Sequence, residues 1–406
     1  MLKVRKLIRS VFVCGKRSDK ILSAAIYGLL IFGIVVTSSA GINTGSTVEN
    51  TIANIGKSVL VLTVCVIAYH VISNYFRLDK LGVGWMYAII LGEFALLVAA
   101  VVCCYVNGAK NGNYSWIYAK WMPVDIQPSE FAKIVVILLI AVFYCDKRFK
   151  GFNGFSWAIL RPMLIIVMMF AFVAGVQKDI GTAVTIGAIA ILLFLLPSNR
   201  VLTGWQIFAG LVLFGLGFLY IYLLGEPGQQ LLTKIGLTHI AARFQAVRHP
   251  SYTSDATREI FYSLLGISKG SIIGVGLGQS VQKFGYLVSA TADYIFAIIV
   301  EELGLIGITI VFGGYIIIIW RLLRYSRLVT KEADKAILVG TTCYLFVHFF
   351  MNVGGVSGLI PLTGVPLLLI SHGGSAMLSI MICLGMCQAV IDNYHRGREE
   401  RRRLIA

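Results

Sequence analysis

Asp293 stands where a polar stretch gives way to an apolar one, in the run Tyr286-Leu-Val-Ser-Ala-Thr-Ala-Asp293-Tyr-Ile-Phe-Ala. A carboxylate at a water–lipid boundary is suited to accept a proton from a sugar hydroxyl. Thr291 is a candidate N-cap, which would put Asp293 in a first helical turn, where the helix dipole keeps it ionised. Simple helix capping is the structural alternative. Glu301 and Glu302 follow about 12–14 Å further along the same helix and are expected to be buried and paired with loop cations.

Other charged groups gather at similar boundaries. Gln127-Pro-Ser-Glu130-Phe-Ala-Lys133 opens an apolar run, with Pro128 suited to a first turn. Glu130 and Lys133 share a helix face, so they form either a local ion pair or a site where Lys133 meets an anionic substrate. Gln177-Lys-Asp179 opens another run, and Asp179 reads equally as an N-terminal helix carboxylate. Arg243, Arg248, Arg258, Lys269 and Lys283 fall in one polar stretch, where phosphate binding competes with a solvated surface. His372, in Ser371-His-Gly-Gly-Ser375, is either a proton carrier or a hydrogen-bonded structural histidine. The glycines between Gly270 and Gly278 fit neither a P-loop nor a dinucleotide fingerprint.

The elements that must hold these groups are membrane helices. The chain has 406 residues, 58% hydrophobic and 13% charged. Apolar runs near 21–40, 57–75, 84–106, 130–145, 158–175, 180–196, 203–224, 293–320, 337–356 and 366–391 recur at bilayer length, about 20 residues each. The expected fold is an all-α polytopic membrane protein of about ten transmembrane helices. Residues 225–290, between the seventh and eighth, read as a large structureless extracytoplasmic loop.

Lys and Arg alternate from side to side. A basic arm (1–20), Arg77/Lys80, Lys147/Arg148/Lys150, Arg200, Arg321 to Lys335 and a basic tail (394–406) flank a membrane domain at 21–393, while 41–56 and 357–365 are nearly free of base. Both termini are therefore expected in the cytoplasm. Most of the net charge of +16 is topogenic, and it calls for no nucleic acid. The eight cysteines form no CxxC pair and read as small buried hydrophobes. Glu93 and His70, mid-span, are the features that favour a transport path.

QPSEFAK at 127–133, Q-x-D-x-G-T-A at 177–183, GLGQSVQK at 276–283, the run from Asp293 to Gly307, and N-x-G…P-x-T-G-x-P…I-S-x-G-G-S from Asn352 to Ser375 resemble the SEDS family, which includes FtsW, RodA and SpoVE. The resemblance spans nearly the whole chain and keeps the motif order; the SVQK segment is closer to the FtsW/SpoVE branch. It implies a ten-span peptidoglycan glycosyltransferase of the cell membrane. Such an enzyme polymerises lipid II beside a class B penicillin-binding protein, within divisome or elongasome, with enrichment at the division septum expected here. It also implies that Asp293 is the essential acid and that Lys133, with Glu130, is the motif lysine. The chain departs from the pattern at Ser115, Lys178, Glu259, Tyr262 and His372.

On this reading Asp293 is the general base, and Lys133, Arg243, Arg248 and Lys283 neutralise a polyprenyl pyrophosphate. Gln127, Glu130, Asp179, Glu301, Glu302 and His372 support them. No metal site is assigned; a divalent cation (Mg or Mn) could share the neutralisation, although no cage of ligands for it is visible. The alternatives are a lipid II flippase using Glu93 and His70, and a non-catalytic scaffold that activates a penicillin-binding protein.

Overall fold

The computed structural model describes residues 17–42, 48–109, 112–119, 122, 124–145, 157–196, 200–234, 238–252, 255–287 and 289–405. The basic arm before Arg17, and the loop cations Lys147, Arg148 and Lys150, lie outside the described residues. Each of the ten apolar runs coincides with a helix. These are α1 (Lys20–Ala40), α2 (Val48–Tyr75), α3 (Val83–Asn107), α4 (Ser129–Leu139), α5 (Trp157–Ala171), α6 (Ile180–Phe194) and α7 (Arg200–Leu224), then α11 (Ile295–Leu328), α12 (Glu332–Val356) and α13 (Gly374–Ile405). Seven of them are long and apolar enough to cross a membrane. The other three, α4, α5 and α6, are shorter, and α4 and α5 each run on into a π-helical turn, to Cys145 and Val176.

Residues 225–290 are not structureless. They hold α8 (Glu226–Lys234), α9 (Thr238–Arg248) and α10 (Asp255–Gly270). In α8 and α10 a polar composition hides short amphipathic helices, whose apolar residues recur at helical spacing. In α10, Ile260 and Ser263 are buried, and the Ser263 hydroxyl donates to the Val356 carbonyl at the end of α12 (2.8 Å).

Two more boundaries differ from expectation. The last span starts at Gly374 rather than 366, because Pro361, Gly364 and Pro366 hold 359–373 in turns and extended chain. That helix then continues through the basic tail to Ile405 without a break at 393. Arg396 pairs with Asp392 one turn earlier (2.9 Å), and Glu399 with Arg17 (2.6 Å).

The core is built by α13 against α2, and by α11 against α12, α10 and α1. α11 breaks at Gly304, where φ 58° and ψ −140° leave the helical region. The break frees the carbonyls of Glu301 and Glu302, and the turn segment after α10 takes them up. Val275 N–H donates to Glu301 O (2.9 Å), Gly276 N–H to Glu302 O (3.0 Å), and Leu305 N–H to Ile272 O (3.0 Å). A buried backbone carbonyl needs such a partner. The carboxylates lock the same joint: Glu302 accepts from Ser39 Oγ and Lys283 Nζ, and Glu301 from Ser280 Oγ and the amides of Val281 and Gln282. Only Glu302 therefore pairs with a loop cation; hydroxyl and amide donors satisfy Glu301.

Gly304 has no substitute at this joint. A Cβ there would lie 2.6 Å from Ile272 O and from Gly274 N, at a backbone conformation that side chains disfavour. Gly304→Ala is expected to destabilise the fold by at least ~1–3 kcal/mol, the usual cost of such strain. Thermal unfolding in detergent reads the loss, and an unchanged midpoint would contradict the role given to the joint.

Candidate functional site

The helices and the 359–373 segment enclose a cavity of about 930 Å³. Asp293, Glu259, Arg243, Gln127, Glu130, Asp179 and His372 line it, together with Lys57 and Ser58 of α2. One local and two distant contacts fix the Asp293 turn. The amides of Ala292, Asp293 and Tyr294 all converge on the Ser289 carbonyl (3.1–3.2 Å), so the chain turns tightly before α11 begins at Ile295. Thr291 is accordingly not the N-cap; its carbonyl accepts the His372 amide (3.1 Å). Asn352 Nδ2 donates to both Asp293 O (2.8 Å) and Val365 O (2.9 Å), tying the turn to the extended segment. The Asp293 carboxylate lies over Gly364, where an added Cβ would come within 3.7 Å of Oδ2.

Burial and the nearby Glu259 charge raise the Asp293 carboxyl from its ordinary value to about 6. The helix dipole does not hold it ionised: the group precedes α11, and loss of water dominates. Glu259 Oε2 accepts a hydrogen bond from the hydroxyl of Tyr294 (3.2 Å). Burial and the same carboxylate raise that phenol well above its usual range. A carboxylate poised near 6 can both exist as a base at neutral pH and hold a proton briefly.

Beside this turn, Gln127 Nε2 donates to Asp179 Oδ2 (2.7 Å), and Asp179 Oδ1 accepts the Thr182 amide (3.1 Å), capping α6. The Gln127 amide donates to Ser375 Oγ (2.9 Å) at the start of α13. Lys178 has φ 56°, a value closed to proline, whose ring fixes φ near about −65°. Its ammonium sits 5.6 Å from the Tyr114 ring.

The predicted phosphate cations do not converge. Arg243 alone of the four lines the cavity, its Nη1 donating to Leu362 O (3.3 Å). Lys133 is fully buried behind the wall, donating to Glu130 Oε1 (2.6 Å) and 2.9 Å from His348 Nε2. Glu130 in turn accepts from the Tyr344 hydroxyl (3.2 Å). Lys283 is sealed into the Gly304 joint, where Glu302 needs its charge (3.1 Å). Arg248 pairs with Glu226 on the exposed surface (3.7 Å). Sequence reports charge but not distance, and Lys133, Lys283 and Arg248 each pair with a carboxylate away from the cavity.

The transport residues lie apart. Glu93 and His70 are buried in α3 and α2, neither lines the cavity, and His70 Nε2 sits 2.8 Å from the Tyr27 hydroxyl. Lys57, Tyr294 and Ser58 escaped sequence reasoning. Lys57 opens the apolar run at 57–75, and nothing along the chain connects it to the residues of the cavity.

Residues 20–396 match the family model described as cell cycle protein, covering FtsW, RodA and SpoVE. A probable peptidoglycan glycosyltransferase FtsW of Bacillus subtilis (strain 168) is 34% identical over 301 residues, covering 73% of this chain and 71% of the relative. Stage V sporulation protein E of the same organism is 30% identical over 308 residues, 74% of this chain and 77% of that one. Among solved structures, a chain from work on structural coordination of polymerization and crosslinking by a peptidoglycan synthase complex superposes with a TM-score of 0.67. It is 19% identical and covers 93% of this chain and 99% of its own. The rod shape determining protein RodA of Thermus thermophilus gives 0.58 at 18% identity, over 93% and 98%.

Proposed function

Because the chain belongs to the FtsW/RodA/SpoVE family of cell cycle proteins, we propose that it is a peptidoglycan glycosyltransferase. It polymerises lipid II at the outer face of the cytoplasmic membrane, for septal wall synthesis, beside a class B penicillin-binding protein. The observation that carries this reading is Asp293: a clamped carboxylate on the wall of a large cavity, with its pKa near 6.

The 4-hydroxyl of an incoming lipid II attacks the anomeric carbon of the lipid-linked glycan with inversion. The hydroxyl proton passes to Asp293, and the bond to the polyprenyl pyrophosphate breaks with its electron pair on the leaving group. Arg243 offers a cation on the same wall. Both termini lie in the cytoplasm on this reading, so the cavity faces outward with the large loop.

Purified protein, its penicillin-binding partner and labelled lipid II test the proposal. Glycan ladders are expected. No ladder from a folded, partner-bound sample would count against the enzyme. Transfer of lipid II across vesicles without polymer would instead favour a flippase, and activation of the partner alone a scaffold.

The carboxyl value sets a pH dependence. A general base works deprotonated, so the rate is expected to be maximal above pH 6. Below that pH it should fall about tenfold per unit. Glu259→Gln removes a neighbouring negative charge, which lowers the Asp293 pKa and moves the acid limb to lower pH. Initial rates across that range report the limb; one that stays put in the variant would break the link between the two carboxylates.

A further inference from the structure

Among the charged residues of the cavity wall, acids outnumber bases. Asp125, Glu130, Asp179, Glu259 and Asp293 all line it, so a phosphate group is repelled from much of its surface. Arg243 belongs to the carboxylate end, since its charge acts on Tyr294, the partner of Glu259. Lys57 does not. It is exposed on α2 and makes no ion pair among the described residues.

Its neighbours are groups that suit an anion. Ser58 Oγ and His372 Nδ1 lie 3.0 Å apart, and both residues line the cavity with Lys57. His372 is also bound through its amide to Thr291, two residues before Asp293. Partial burial and the Lys57 charge push the imidazole below its ordinary value. The ring is therefore held neutral, able to share a hydrogen bond with Ser58, and Lys57 is the cation of the group.

We propose that Lys57, with the Ser58 hydroxyl and the His372 imidazole, forms the subsite that holds the pyrophosphate of a lipid-linked sugar. The assignment rests on the glycosyltransferase reading for its ligand. It replaces Lys133, Arg248 and Lys283, which are committed to carboxylates elsewhere. It also explains how a cavity rich in carboxylates retains an anionic substrate: the ammonium carries the charge and the hydroxyl donates. The short backbone link to Thr291 places the bound phosphates beside the base.

The test measures binding without turnover, so it stands or falls apart from polymerase activity. Wild type, Lys57→Ala and Lys57→Arg, all in an Asp293→Asn background, are titrated in detergent with polyprenyl pyrophosphate, polyprenyl monophosphate and phosphatidylglycerol. Wild type is expected to bind the pyrophosphate in preference to both others. Lys57→Ala should weaken it by roughly 10–100-fold, the loss of a charge-assisted contact, and Lys57→Arg should recover most of that. Equal loss towards phosphatidylglycerol would mean a bulk-lipid headgroup site and would overturn the assignment. So would an unchanged affinity in Lys57→Ala, or no pyrophosphate binding by wild type. Repeating the titration with lipid II and with a short lipid-linked glycan assigns the subsite to acceptor or donor. Glycan ladders with no Lys57 effect would leave the enzyme standing and remove the subsite; a Lys57 effect without ladders would do the reverse.

Discussion

Asp293→Asn is expected to lower the polymerisation rate by roughly 10²–10⁴-fold while lipid II binding changes little. The amide is nearly isosteric with the carboxyl, but its nitrogen cannot accept a proton. The turn should survive the change, because its clamps use main chain and not the carboxylate: Ser289 O takes three amides, Asn352 holds the Asp293 carbonyl, and His372 holds Thr291. The protein should therefore melt where wild type does. Steady-state ladder formation with the partner present gives the rate, and a variant within about tenfold of wild type would remove the base from this residue. Asn352→Ala offers a contrast, since it loosens the turn without touching the carboxyl; it should lower both rate and stability.

The second large effect concerns stability. Lys283 and Glu302 are fully buried with 3.1 Å between Nζ and Oε1. Lys283→Met leaves a carboxylate without its cation inside the protein, which costs about 3–5 kcal/mol. Adding Glu302→Gln should restore most of the loss, because a paired charge and a neutral polar group are both tolerable there while a lone charge is not. Thermal unfolding of the two single variants and the double variant measures the coupling. If Lys283 instead met phosphate, Lys283→Met would raise KM and leave the melting midpoint unchanged. That pattern would reinstate the sequence expectation.

Sequence carried the membrane architecture well because bilayer length imposes a coarse signal that composition alone reveals. Asp293 was legible for a related reason: it is an acid at the edge of an apolar run. The helices α8 to α10 were not, since nine to sixteen polar-rich residues give a weak periodic signal. The chemistry of the cations was illegible for a different reason. Lys283 and Glu302 stand nineteen residues apart in sequence and 3.1 Å apart in space, and no pattern along the chain announces that distance. Lys57 shows the same limit: nothing in its sequence surroundings marks it, and only the fold brings it to the cavity with His372, 315 residues later. Glu259 was noticed as a departure from a family pattern, yet its effect on Asp293 depends on α10 lying against α11.

The joint at Gly304 shapes what inheritance can alter. It is made almost wholly of main chain, so selection there acts on the absence of side chains. Gly304 and Gly274 cannot accept a Cβ without meeting backbone. Ile272 and Ile273, two and one residues before Gly274, expose 68% and 77% of their surfaces and lend the joint only their peptide groups. Substitution of those exposed side chains would leave the peptide contacts of the joint in place. The two glycines are not open to the same change, since any side chain there meets main chain of the facing segment.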